Sequence, residues 1–229
     1  MNHRKDQSQV TEELKKIETM INKALWKAVR DQDHEKALET YNEAKLKLEA
    51  LHSLPTYLEK ERKRVLSYCL LRIDNVLVTK GDAPESVERM KNALEVARKS
   101  GDEVQIARCS LALGTRLASA GAMDKAIEFW RKARELAKNR PEDTMQQIAG
   151  WTLISEAHFL QHMKKKYNEA LDKLSRAESI LEAINNYAGV ARVNKVKASV
   201  YADINEKEMQ QTCLAKRKKF MEKAKREQR

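Results

Sequence analysis

His158 and His162, spaced by four with Glu156 nearby, are the residues whose types and spacing approach metal chemistry, because positions i and i+4 share a helical face. A zinc site needs further ligands and usually two elements. The order His-Glu-x-x-His is missing, and no cysteine falls near in sequence. The cluster therefore reads as packing and turn residues, and no metal is expected. Cys69, Cys109 and Cys213 lie far apart inside helical patterns, and an odd count argues against a disulfide framework. Reduced, buried thiols in a cytoplasmic protein are the expectation. Glycine-rich phosphate loops are missing, as are Gly-x-Ser-x-Gly and Cys-x-x-Cys. Single Ser, Cys and His residues are scattered without a local signature, so the chain is expected to have no catalytic residues and no cofactor.

What remains is charge, and it is unevenly placed. The formal net charge is +11. Gln210 to Arg229 holds eight Lys or Arg and two Glu, a net +6, which leaves +5 for the preceding 209 residues. The basic set is Lys216, Arg217, Lys218, Lys219, Lys223, Lys225, Arg226 and Arg229. Three readings stand open for it: the solvated end of a last helix that shields an apolar edge, a contact to nucleic acid through salt-sensitive phosphate neutralisation, or a contact to an anionic membrane surface. Only Phe220 and Met221 offer apolar grip there, which makes insertion into lipid weak.

The rest of the composition bounds the architecture. Hydrophobic residues make up 41%, low for a globular chain, and charged residues 34%, which is high; that balance suits a thin, high-surface fold. Only three prolines and six glycines interrupt a sequence dominated by helix formers. No stretch approaches roughly 18 consecutive apolar residues, so a membrane span is not expected. The segment Met1 to Val10 is polar and lacks the apolar core of an export signal.

Gly, Pro and Asn divide the chain into about ten helices. The first is expected from about Val10 to Arg30. Asp33 caps a second that fades near His52, and Pro55 marks the break. A third, from about Tyr57 to Lys80, carries Val65, Cys69, Ile73 and Leu77 on one stripe. Asp82 with Glu85 is expected to cap the fourth, which ends at Ser100-Gly101. Asp102 with Gln105 caps the fifth, running to Gly121, and the sixth reaches about Asn139 before Pro141. The seventh is expected from Glu142 to Met163, the eighth from Asn168 to Ile184, and the ninth from Tyr187 to Ile204. Asn205 with Glu208 is expected to cap the tenth. No stretch keeps the period-2 alternation of a strand.

Short turns make successive helices antiparallel neighbours, and the pairs repeat. The second helix of each pair carries a small, a bulky and another small residue: Ala37-Tyr41-Ala44, Ala126-Trp130-Ala133 and Ala170-Leu174-Ala177, with a weaker copy at Ser86, Met90 and Ala93. The last small residues are spaced by 49, 40 and 44. Together with Leu113-Gly114, Leu117 and Gly121 in the third pair, this resembles the tetratricopeptide repeat (TPR), in a long-repeat form of about 40 residues against the usual 34 or so. Ser110 stands where the pattern has an early Trp, and the fifth pair keeps little beyond Ala198 and Tyr201. The resemblance covers roughly Met20 to Leu214. It implies an all-α, right-handed helical-repeat solenoid of about five antiparallel pairs, near 10–52, 57–100, 102–139, 142–184 and 187–209 onward. The repeat domain would span 1–209 and be followed by a basic C-terminal helix or tail at 210–229.

The same resemblance places first helices on a concave wall that receives an extended or helical peptide. Outward polar residues on those helices are then the groove candidates: Arg72, Asn75, Arg108, Thr115, Ser155, Arg192, Lys195 and Ser199. Arg and Asn grip carboxylates and backbone amides without demanding one sequence. The set does not reproduce the Lys-Asn-Asn-Lys-Arg arrangement with which some relatives clamp acidic chaperone tails. The expected function is a non-catalytic scaffold or adaptor that binds a partner peptide or helix. The alternative is a regulatory subunit of a nucleic-acid-associated complex that uses the basic C-terminal helix.

Overall fold

The computed structural model describes residues 7–227, apart from the side chains at 29, 30 and 227. Arg229 of the basic set and the first six residues of the polar amino-terminal stretch lie outside the described residues. Among the described residues there are ten α-helices and no strand: α1 (Gln7–Arg30), α2 (His34–Glu49), α3 (Thr56–Thr79), α4 (Ser86–Ser100), α5 (Glu103–Ser119), α6 (Met123–Ala137), α7 (Asp143–Lys164), α8 (Tyr167–Ala183), α9 (Tyr187–Asp203) and α10 (Lys207–Glu227). They fall into two compact units, Met1–Ala122 with α1 to α5 and Met123–Arg229 with α6 to α10.

The helix ends follow local chemistry. The Asp33 carboxylate accepts from the Lys36 amide at 3.1 Å and that of Asp102 from the Gln105 amide at 2.7 Å, each satisfying an amide that has no partner inside its helix. Gly101 closes α4 at φ +76, a conformation that costs glycine nothing. Asn185 and Asn205, at φ +55 and +62, close α8 and α9 in the same left-handed way. Asn205 thus terminates α9, and α10 begins at Lys207.

The fourth helix starts later than its acidic pair suggested. It opens at Ser86, where Glu85 occupies the cap position without a side-chain hydrogen bond. Pro84 disfavours helical backbone at Ala83 and so blocks an earlier start. Asp82 turns to Arg89 instead: its carbonyl accepts from Nη2 at 2.7 Å and its carboxylate lies 3.6 Å from Nη1.

Within the first unit each helix packs on the next, and α3 also adjoins α1 and α5 directly. Val10, Leu14, Ile17, Ile21, Ala24 and Ala28, recurring every three or four residues, form the buried stripe of α1. It joins Ala37, Tyr41, Ala44 and Leu48 of α2 and Val65, Cys69 and Ile73 of α3 in one core. Leu77 is partly buried against it.

The second unit is built the same way, with α7 adjoining α9. Its core combines Leu153, Ile154 and Ala157 of α7, Ala170, Leu174, Ala177 and Leu181 of α8, a valine-rich face of α9, and Phe220 of α10. The small-large-small triplets are therefore packing residues, and Ala126, Trp130 and Ala133 are likewise buried.

Candidate partner-binding faces

In the first unit the α1–α3–α5 layer presents a cluster centred on Tyr68. The phenol donates to Asn22 Oδ1 on α1 at 3.0 Å and accepts from Arg72 Nη2 at 3.1 Å. The guanidinium of Arg72 lies 4.7 Å from the ring centroid, and that of Arg108, reaching over from α5, lies 5.4 Å from it. Both distances are within cation–π reach. Burial pushes the Arg108 guanidinium down from its ordinary value, and the like charge of Arg72 adds to that, while the Tyr68 and Asp102 fields oppose it. Two of the sequence-predicted groove residues are thus brought together on one ring.

The other two in this unit serve the fold. Asn75 Oδ1 accepts from Arg116 Nη2 at 2.8 Å, and the Thr115 hydroxyl returns to Leu111 O of its own helix at 3.0 Å. Beside them lies a network that the sequence reading missed. Asp74, with a fully buried side chain, accepts from Arg89 Nε at 3.0 Å, Arg116 Nε at 2.9 Å and the Ser86 hydroxyl at 2.9 Å. One carboxylate thereby ties α3 to α4 and α5. The sequence signal was an acidic residue set between Ile73 and Val76 inside an apolar stripe.

In the second unit Arg192 and Lys195 are exposed on α9. Ser155 donates back to Trp151 O at 3.2 Å, and Ser199 accepts from Gln161 Nε2 at 2.8 Å. The rings of His158 and His162 lie with centroids 4.3 Å apart and their planes tilted by 57°. Burial holds the His158 imidazole below its ordinary value, and the fields of His162 and Arg192 push the same way. Glu156 is held by Arg134 at 2.5 Å and Lys173 at 2.7 Å, so its carboxylate is already engaged by two cations. Among the described residues no group of three or more His, Cys, Asp or Glu is placed to hold a metal ion.

The basic C-terminal segment is a packed helix. Cys213, Phe220 and Ala224 are buried along α10, and Phe220 meets Tyr187 with centroids 5.9 Å apart. Lys223 Nζ sits about equally over both rings, at 5.1 and 5.2 Å. Lys216 Nζ reaches Glu178 at 3.1 Å, where Lys197 at 2.6 Å and Asn194 at 2.8 Å complete the shell. Lys218, Lys219, Lys225 and Arg226 are exposed, and Arg217 is half-buried. Glu178, next to the buried Ala177 of α8, was passed over by the sequence reading too.

No protein-family model and no curated protein matches the chain. Solved structures do. BtubC (BKLC) from P. vanneervenii superposes with a TM-score of 0.60 at 14% identity, over 94% of this chain and 92% of that one. A Podosopora anserina putative kinesin light chain with nearly identical TPR-like repeats gives 0.51 at 11% identity, over 92% and 97%. The fold is the TPR-like helical repeat. Aspartyl phosphate phosphatase F from Bacillus subtilis gives 0.64 at 14% identity over 90% of this chain, which spans half of that protein. In the TPR-like frame the Tyr68 cluster lies on the layer of first helices. At these identities the likeness speaks for the fold alone. No described helix is long and apolar enough to cross a membrane.

Proposed function

We propose that the chain is a non-catalytic interaction scaffold or adaptor whose first-helix face receives a partner peptide or helix. The observation that carries this reading is the layer of α1, α3 and α5, from which Asn22, Tyr68, Arg72 and Arg108 converge on one patch. Half-buried guanidinium groups on a rigid helical platform are suited to hold a flexible chain, since their forks take carboxylates and backbone carbonyls without demanding one sequence. Three free, buried thiols suit a reducing, intracellular setting.

The reading is tested by panning a random dodecapeptide phage library on the full-length chain and mapping an enriched peptide by hydrogen exchange. Protection on α3 and α5 around Tyr68 is expected. Protection confined to the outer helices α2 and α4 would count against it.

A further inference from the structure

Of the six half-buried arginines described in the first unit, four already have a carboxylate: Arg62 with Glu59 at 2.7 Å, Arg64 with Glu18 at 2.6 Å, and Arg89 and Arg116 with Asp74. Arg72 and Arg108 have none within ion-pair distance among the described residues. Arg72 instead meets the ring and hydroxyl of Tyr68, and Arg108 meets its ring. Arg72 Nε is buried without a hydrogen-bond partner in the protein. Asp102, whose field reaches Arg108, is committed to capping α5.

We infer that Arg72 and Arg108, converging on Tyr68 from neighbouring first helices, form a receptor for one acidic side chain of a bound peptide. The inference rests on the reading of this face as a peptide site. Two like charges that share one ring repel each other. A carboxylate placed between them relieves that repulsion and gives the forks acceptors they lack. Its two oxygens can accept from two guanidinium groups at once. The Tyr68 hydroxyl, braced by Asn22, keeps Arg72 in place before the ligand arrives, so little freedom is lost on binding. The sites that a second acid would need are not duplicated next door: Arg116 and Asn75 bond each other. The receptor therefore takes one acid at one position and does not read overall negative charge.

The test uses the full-length chain and dodecapeptides enriched from the random phage library, with binding read by fluorescence polarisation. Enriched peptides should share one Asp or Glu at a fixed position. Replacing that residue with Gln or Asn should weaken binding to the wild type tenfold or more, and change it less than twofold for Arg72→Gln or Arg108→Gln. Arg108→Lys, which keeps the charge and loses the fork, should fall between, and it serves if Arg108→Gln does not fold. Enriched peptides without a shared acid would overturn the inference and leave the peptide-site reading standing. So would an acid whose contribution persists in both variants. If no peptide is enriched at all, the underlying reading fails, and the inference with it.

Discussion

A β-carbon built on Gly150 would stand 2.6 Å from Cγ of Leu181. Leu181, fully buried on α8, also closes on Gly189, whose added β-carbon would meet it at 3.0 Å. Two glycines on neighbouring first helices thus make room for one leucine of the partner helix. Glycine inside a helix costs about 1 kcal/mol relative to alanine, and here the cost is offset by the closeness of α7 and α8 that it permits.

Gly150→Ala should therefore lower stability although alanine is the better helix former. Overpacking costs about 1–3 kcal/mol against the propensity gain of about 1 kcal/mol, so a net loss of roughly 1 kcal/mol is expected in urea unfolding. Shortening Leu181 to Val in the same chain should cost less than it does alone. Additive effects of the two changes would show that the contact does not set the packing.

The Asp74 network makes a larger demand. Asp74→Ala strands Arg89 and Arg116 without their carboxylate, and breaking a buried pair from one side costs about 3–5 kcal/mol. The urea midpoint of the first unit should fall accordingly, while adding Arg116→Ala should cost far less than the sum of the single changes. A loss of under about 1 kcal/mol for Asp74→Ala would mean that the network is too wet to matter.

Glu178 gives stability a defined dependence on pH. Burial alone would push its carboxyl up, but hydrogen bonds from Lys197 and Asn194, followed by the Lys197 charge and the Lys216 hydrogen bond, outweigh it and leave it below its ordinary value. A carboxylate depressed in the folded state contributes stability above its unfolded pKa of about 4.3 and loses it as pH falls through the folded value. The difference in unfolding free energy between wild type and Glu178→Gln should be flat near neutrality and shrink as pH falls below about 4.3. A difference that grows with acid would reverse the assignment.

The thiols report on packing. Burial pushes the Cys69 and Cys109 thiols up to about 12, so near neutral pH they stay in the unreactive thiol form. Cys213 is also raised, by burial against α9. Native protein should react very slowly with a disulfide reagent, and all three thiols should react in guanidinium. Of the three, Cys213 should be the one that Glu178→Ala accelerates, because that change loosens the hold on Lys216 of α10. Uniform acceleration of all three would mean global unfolding instead.

Much of this fold was readable in the sequence. The caps at Asp33 and Asp102, the breaks at Gly101 and Asn185, and the burial of Tyr41, Trp130 and Leu174 all follow from local rules of capping and period. The start of α4 was misplaced because Pro84 and the pull of Asp74 on Ser86 outrank a capping pattern. The sites were less legible. Arg72 and Arg108 were chosen for position on first helices, and the structure brings them together. Asn75, Thr115, Ser155 and Ser199 were chosen on the same grounds and are engaged within the fold. Thr115 and Ser155 bond to carbonyls one turn back, whereas Asn75 and Ser199 are engaged by Arg116 and Gln161, 41 and 38 residues away, which no local period encodes.

Asp74 has one more bearing, on how the chain folds. Repeat proteins ordinarily gain stability additively, each unit adding its own contribution and one interface with its neighbour, which lets the array fray from its ends. The carboxylate of Asp74 is fully compensated only when α4 and α5 are both in place, and until then α3 holds a charge that is costly to bury. Partial docking is thereby penalised, which couples the docking of α4 and α5 onto α3. The carboxylate that ties α5 to α3 thereby also ties the helix carrying Arg108 to the one carrying Tyr68 and Arg72.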